Sequence, residues 1–377
     1  MQNKKNAKED HANGTVVKIR NINLFQLSLL LIHAQVGVGM ITLASDVHVD
    51  AKTSSWISIL LGGIFVQLLI FIYGFLMKRF PNKTLFDMIK IVFGNIIGNL
   101  IIIMYVLYFI ILIVLLLSKY IVIIKTWMMP ITPKWVLAIS ISIIAIYAAK
   151  ENIHVISRFF VFATFVIFVF LGFVFYSFKD ANYTYILPIG IDGFVPILKG
   201  AITSSNAYQG VEYLLLFAPF VKGSNKQVLY TSTFINVFIT LFYTLTVLAP
   251  QLVFSSKELE LITEPIFYLV KSFSFTMIER PDLLFITMWI VLVITTLIML
   301  LFAASMSLQS VFNSNQQTIF VYIAITVSIV LSSFIYGEFR IRKLSMAVNP
   351  LISLFAAGIP IITLLFSYLF RKKAETK

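Results

Sequence analysis

The sequence predicts an all-α integral membrane protein of ten transmembrane helices, arranged as two five-helix halves of opposite orientation. Three observations carry that expectation. Of the 377 residues, 59% are hydrophobic and only 12% charged, with a mean hydropathy of +0.95, whereas a soluble domain is about a quarter charged. Ten apolar stretches approach the roughly 20 residues that a spanning helix needs: 24–44, 55–77, 96–124, 135–149, 158–178, 194–220, 228–254, 282–308, 318–337 and 350–370. Two of these, the first and the sixth, are interrupted halfway by small and polar residues. Hydrocarbon offers no partner to freed backbone groups, so such breaks are tolerated where they line a cavity.

Taken in order, residues 1–20 form a polar tail with no short apolar core and cleavage site, so the first span reads as a retained signal anchor. The first span, Leu24–Leu43, breaks at Gln35-Val36-Gly37-Val38-Gly39. Gly37 and Gly39 permit backbone conformations that other residues resist. His33, one turn earlier, reads as an interhelical hydrogen-bonding residue. The third span is long enough that it must tilt or protrude. Tyr105 and Tyr108 mark its middle. Trp127 and Trp135 flank a connection carrying Pro130 and Pro133, as interfacial anchors do.

Five spans precede Lys179-Asp180 and five follow. An odd number per half inverts the second half relative to the first. Repeat one covers about 24–178 and repeat two about 194–370, within one membrane domain of residues 21–370. The sixth span, Phe194–Phe220, breaks at Thr203-Ser204-Ser205-Asn206-Ala207-Tyr208-Gln209-Gly210. A half-helix from about Val211 is expected to aim its amide-rich N-terminus at the cavity, where an amino-acid carboxylate fits. Tyr208 can stack or hydrogen-bond, and Asn206 and Gln209 can read an amine or amide. Glu212 is the acid placed within a span, a candidate proton or cation site or a partner for a ligand amine. Thr295 and Thr296 mark the middle of span eight, where threonines commonly bond their own helix backbone.

Between spans seven and eight, Ile266, Leu269, Val270, Phe273 and Met277 recur at helical spacing after Glu264-Pro265. This predicts a short amphipathic helix within Thr263–Arg280 over the outer mouth. The charge run Glu338–Lys343 is expected to be a solvated loop. Residues 371–377 form a basic tail.

The net charge of +13 is concentrated on the side of the two termini. Basic residues favour the cytoplasmic face, so both termini are expected inside. Cysteine is absent, which excludes disulfides and thiolate metal sites. No phosphate-binding glycine loop, metal-spaced histidine pair or nucleophile–base set is present, so neither an enzyme, a cofactor, a metal site nor nucleic-acid binding is expected.

Several segments then resemble the B subunit of spore germinant receptors, the endospore germination permease family within the amino acid/polyamine/organocation superfamily. They are Ile131-Thr132-Pro133-Lys134-Trp135, Glu151-Asn152-Ile153-His154-Val155-Ile156-Ser157-Arg158, and Leu187-Pro188 with Pro196-Ile197-Leu198-Lys199-Gly200. The last runs on to Gly210-Val211-Glu212 and Pro219. Glu264-Pro265 continues through Glu279-Arg280-Pro281-Asp282 to Trp289. The resemblance implies a ten-helix fold of the leucine-transporter type and a subunit of the spore inner membrane. Such a subunit senses a small nutrient, often an amino acid, beside an A subunit and a lipoprotein C subunit. It implies a ligand pocket between broken helices one and six, closed by spans three and eight. On this chain that carries Gly37, Val38, Gly39, Thr203, Ser204, Asn206 and Tyr208, and more loosely Tyr105 and Thr295. The alternative function is a proton- or cation-coupled amino-acid permease, with Glu212 as its coupling residue.

Overall fold

The computed structural model describes residues 22–191, 193–274 and 279–373. The tail at 1–20, the last residues of the basic tail and Met277 lie outside them. The described residues are helical throughout, apart from connections and one isolated bridge between Ile22 and Val221. Seven continuous helical stretches are long and apolar enough to cross a membrane: Gly39–Arg79, Leu85–Trp127, Ile153–Asp180, Asn225–Val253, Pro281–Phe312, Gln317–Phe334 and Glu338–Leu369. The remaining apolar spans of the sequence are shorter helices or are broken into pieces.

The first span is two helices, α1 (Leu24–Gln35) and α2 (Gly39–Ala51). A 3₁₀ turn at Lys52–Ser54 leads into α3 (Ser55–Arg79). Next come α4 (Leu85–Trp127), α5 (Lys134–Ala149) and α6 (Ile153–Ser177). The sixth span is α7 (Phe194–Ser205) and α8 (Tyr213–Phe217). It is followed by α9 (Asn225–Val253), the short α10 (Ser256–Leu261) and α11 (Pro265–Lys271), and α12 (Pro281–Phe312). The chain ends with α13 (Gln317–Phe334), α14 (Glu338–Ser353) and α15 (Ile359–Leu369), the last two joined by a π-helical turn at Leu354–Gly358.

Local chemistry sets several boundaries. Asn23 with Gln26, Thr84 with Asp87, Ser224 with Gln227 and Ser255 with Glu258 form capping boxes at the starts of α1, α4, α9 and α10. Each satisfies two amides that the first helical turn leaves free. The long third span begins earlier than its apolar run, and its first part is set at an angle by Gly94 at φ 79°.

Two groups of helices pack together. One unites α1, α2, α3, α7 and α9; the other unites α4, α5, α12 and α13. In the first group α3 and α7 approach closely through small residues. Ser204 Oγ donates to the Ser58 carbonyl at 3.2 Å, and Ser58 Oγ donates to the Ile197 carbonyl at 2.9 Å. Without a hydrophobic drive between helices in lipid, close van der Waals packing and such bonds hold the pair. The α6 helix lies against α1, α9 and α12, while α14 and α15 lean on α4 and α3.

Two connections differ from expectation. Glu338–Lys343 is the first turns of α14 rather than a loop; its charged side chains are exposed, with only Ile341 turned inward. A helix presents one side to solvent and so keeps these charges hydrated without unwinding. The amphipathic segment after Glu264 is shorter than its apolar spacing suggested: α11 stops at Lys271. Its Ile266, Leu269 and Val270, with Phe273 beyond, are buried against α12, α2, α6 and α9. It is a wedge in the packing, not a strip on the surface.

Candidate functional site

The first break arises where alternating valine and glycine meet. Each is a poor helix former, by about 0.5 to 1 kcal/mol relative to alanine. Val36 turns extended (φ −79°, ψ 98°), and the helix restarts at Gly39. The second break is longer. Ser205 spends its hydroxyl on the Ile202 carbonyl, a 3₁₀ turn covers Asn206–Tyr208, and Gly210 takes φ 107°. That φ is natural only for glycine. A β-carbon at Gly210 would lie 2.8 Å from the Ala34 carbonyl oxygen. The two breaks therefore touch at Gly210, against Ala34, the last residue but one of α1.

A single side chain bridges them. Tyr243 of α9 is fully buried, and its hydroxyl donates to the Gln35 carbonyl at 2.8 Å and the Ala207 carbonyl at 3.1 Å. These are backbone acceptors that the breaks have released from helical bonding. Beside them, Glu212 Oε2 accepts from the Gly210 amide at 2.9 Å, and Oε1 accepts from the Tyr108 hydroxyl at 3.1 Å. Glu212 is buried, with no Lys or Arg paired to it among the described residues. The chain thus supplies its own hydroxyl to the freed carbonyls and its own carboxylate to the freed amide.

This revises the expected half-helix. Only five residues, Tyr213–Phe217, form α8 before a 3₁₀ turn, and the amide aimed at the cavity is already occupied by Glu212. Pro219 and Gly210 at either end leave too little room for a longer helix.

The other singled-out residues divide into groups. Gly37 packs directly on α12: a β-carbon there would collide with Thr296 Oγ1, which itself donates to the His33 carbonyl at 3.3 Å. Val38 is buried and leads into α2, while Gly39 faces open space. Thr295 Oγ1 donates to its own Leu292 carbonyl at 2.8 Å and lies 3.1 Å from His33 Nδ1. His33 Nε2 lies 3.0 Å from Thr164 Oγ1, and its ring packs on Phe160. His33 therefore ties α1 to α6 and α12, as an interhelical residue does. A neutral ring donates only once, so one of the two threonines can bond it only by giving up its own helix carbonyl, Leu292 for Thr295 or Phe160 for Thr164.

On the α7 side, Thr203 Oγ1 donates to Asp50 Oδ2 at 2.7 Å, away from the meeting point of the breaks. Ser204 is fully buried and bonded to Ser58 and Ala201. Tyr208 packs edge-on against Tyr243 and lies 3.2 Å from Thr240 Oγ1. Asn206 Oδ1 is buried without a partner. Tyr105 is turned to the last span, where its hydroxyl donates to the Phe355 carbonyl at 2.7 Å. Gly37, Val38, Thr295 and His33 thus gather on the α12 side, with Tyr208 and Asn206 opposite, while Thr203 and Tyr105 serve other contacts.

Tyr243 is the residue the sequence reading missed. A signal existed: Asn236, Thr240 and Tyr243 recur at four- and three-residue steps, a polar stripe on one face of span seven. Asn236 Nδ2 donates to the Gly63 carbonyl, and Thr240 and Tyr243 reach the second break.

Known proteins share this architecture. A Na+-coupled sialic acid symporter in a substrate-bound outward-open state superposes with a TM-score of 0.65 and 12% identity, over 95% of this chain and 82% of its own. Mhp1, a nucleobase-cation-symport-1 family transporter in a closed conformation, gives a TM-score of 0.65 and 14% identity over 93% and 79%. The fold is therefore that of transporters of the leucine-transporter type. In sequence, the chain is 24% identical to spore germination protein YndE of Bacillus subtilis (strain 168), over 94% of this chain and 98% of the relative. It is 24% identical to spore germination protein GerQB of Bacillus cereus, over 86% and 89%. The family model described as spore germination protein matches residues 21–338, and with most of the chain so covered, this protein belongs to the spore germination protein family.

Proposed function

We propose that the chain is the nutrient-sensing membrane subunit of a spore germination receptor. In this reading it crosses the spore inner membrane ten times as a 5+5 inverted repeat, with both termini cytoplasmic. It binds a small molecule, an amino acid foremost, where the two broken helices meet, and signals to A and C receptor subunits. One observation carries the reading. Tyr243 and Glu212 occupy the freed carbonyls and the freed amide with a hydroxyl and a carboxylate. An amino acid brings an ammonium for the former and a carboxylate for the latter. Binding is then an exchange of internal partners for the ligand's own groups. Because it releases Tyr243 from the end of α1 and from the turn after α7 together, the ligand favours one arrangement of the two segments over another, which is what shifts a two-state population. Gly37, Val38, Gly39, Ser204, Asn206, Tyr208 and Thr295 frame that exchange; Thr203 and Tyr105 support it from the flanks.

The second reading is a proton- or cation-coupled amino-acid permease. It is favoured by Glu212, a buried carboxyl with no basic partner among the described residues, the kind of group that carries a proton through a membrane. Three measurements separate the readings. The sensor requires that spores lacking this subunit lose the response to one nutrient, that the chain copurifies with A and C subunits, and that liposomes holding it alone take up nothing. Concentrative amino-acid uptake by those liposomes, abolished in Glu212→Gln, would replace the sensor with the permease.

A further inference from the structure

A pocket lies on another side of the second break, and none of its walls comes from α1, α2, α9 or α12. Its cavity volume is about 210 Å³, and it is open on one side. Its walls are α3, the unwound segment 205–211 and the last span around the π-helical turn. Phe65 and Leu68 on α3 are also exposed on the outer surface of an apolar span, at 37% and 55%. The opening therefore faces the hydrocarbon of the bilayer.

The end of the pocket at the second break is polar: Ser205 and Tyr208 bond within the protein, while two amide side chains are left over. Asn206 Oδ1 is buried and lacks a partner, and the Gln209 side chain makes no hydrogen bond among the described residues. An unpaired buried acceptor costs about 1 to 3 kcal/mol, so a molecule that satisfied it would gain affinity there. The opposite wall is held open by the π turn, whose Phe355 and Ala356 carbonyls accept from the Tyr105 and Tyr73 hydroxyls. No Lys, Arg, His, Asp or Glu lines the pocket. A charged ligand would have to leave water with no counter-charge to meet it. An apolar ligand without a polar end would leave Asn206 and Gln209 unmet.

We propose that this pocket is a membrane-accessible binding site for an uncharged amphiphile, whose hydroxyl or amide head hydrogen-bonds Asn206 and Gln209 and whose short apolar tail lies between α3 and the last span. The site shares Asn206 and Tyr208 with the nutrient reading, but its other walls are α3 and the last span, and it stands whether or not a nutrient binds where the breaks meet. Its occupant touches the same unwound segment from the membrane side and so acts on whatever that segment does.

The test is photolabelling of the full chain in phospholipid nanodiscs with a medium-chain alcohol carrying a diazirine. The expected result is saturable labelling of residues 205–211 and 352–361, competed by unlabelled octanol. Asn206→Leu, which removes the acceptor, is expected to weaken the saturable component about tenfold. Ala357→Phe, which fills the space, is expected to abolish it. Labelling that never saturates and spreads evenly over the lipid-facing residues would show that the pocket holds only acyl chains, and would overturn the proposal. Undiminished saturable labelling in either variant would also overturn it, and the wild-type competition decides the matter even where a variant fails to fold.

Discussion

The two breaks solve one problem in different ways. The first spans few residues, and its helix resumes as α2 for 13 residues. The second takes seven residues, 206–212, to pass from α7 to α8, and only five residues of helix follow. The first is kept in place chiefly by close packing, with Gly37 against Thr296, and shares one hydrogen-bond donor, Tyr243, with the second. The second is kept in place by hydrogen bonds: Tyr243 donates to Ala207, Gly210 donates to Glu212 and Tyr208 donates to Thr240. Packing is poorly exchangeable, since nothing can replace a β-carbon's missing volume except a rearrangement of α12. Hydrogen bonds to a hydroxyl or carboxylate exchange with a ligand at little net cost. In the proposed reading the second break is the one that exchanges most of its partners, and the first is the more fixed of the two.

Substitutions sharpen the contrast, and the largest effect belongs at the point of contact. Gly210→Ala imposes a left-handed φ on alanine and drives its β-carbon into Ala34. A loss of about 2–5 kcal/mol is expected, read from denaturant unfolding of the purified chain. Gly37→Ala meets Thr296 without backbone strain and should cost about 1–3 kcal/mol; Thr296→Ser, by thinning the obstacle, should recover part of it. Tyr243→Phe removes the bridging hydroxyl and should cost about 0.5–1.5 kcal/mol. Unlike the glycine variants, it should also lower the nutrient concentration giving half-maximal response, because the ligand no longer competes with an internal donor. An unchanged dose response in Tyr243→Phe would remove the exchange mechanism. Gly39→Leu should fold and insert normally, since nothing lies near its β-carbon, yet lose the nutrient response by filling the open side of the first break.

The smallest effect lies at the edge of the molecule. Partial burial beside α11, reinforced by Glu338, pushes the Glu264 carboxyl up to about 7. A carboxyl that holds its proton more tightly folded than unfolded loses stability as pH rises from about 4.5 toward 7, and nothing further is lost above that. Glu264→Gln should flatten this slope and gain under about 1 kcal/mol at pH 8, visible in melts between pH 5 and 8.

Much of this was legible in the chain itself. The valine–glycine alternation at 36–39 and the polar run at 203–210 announced both breaks, because such residues are expensive in a helix and in lipid alike. Glu212 stood out by its charge. What stayed hidden depends on tertiary contact. The run Leu354–Gly358 carries no mark of a π turn, which is stabilised by tyrosines more than two hundred residues away in sequence. The capture of the Gly210 amide by Glu212 was equally hidden, because spacing alone does not reveal a side chain folding back on its own turn. Tyr243 escaped notice because an unbroken span draws no attention, although its polar stripe was there to read.

Amide hydrogen exchange of the full chain in nanodiscs, with and without the amino acid that most raises its thermal midpoint, tests the central claim most directly. The account predicts that one amino acid stabilises the chain and that protection changes at residues 35–40 and 205–212 together, with the rest of the bundle unaltered. If no amino acid, nucleoside or sugar raises the midpoint, or if protection changes only far from both breaks, the meeting point of the broken helices is not a nutrient site.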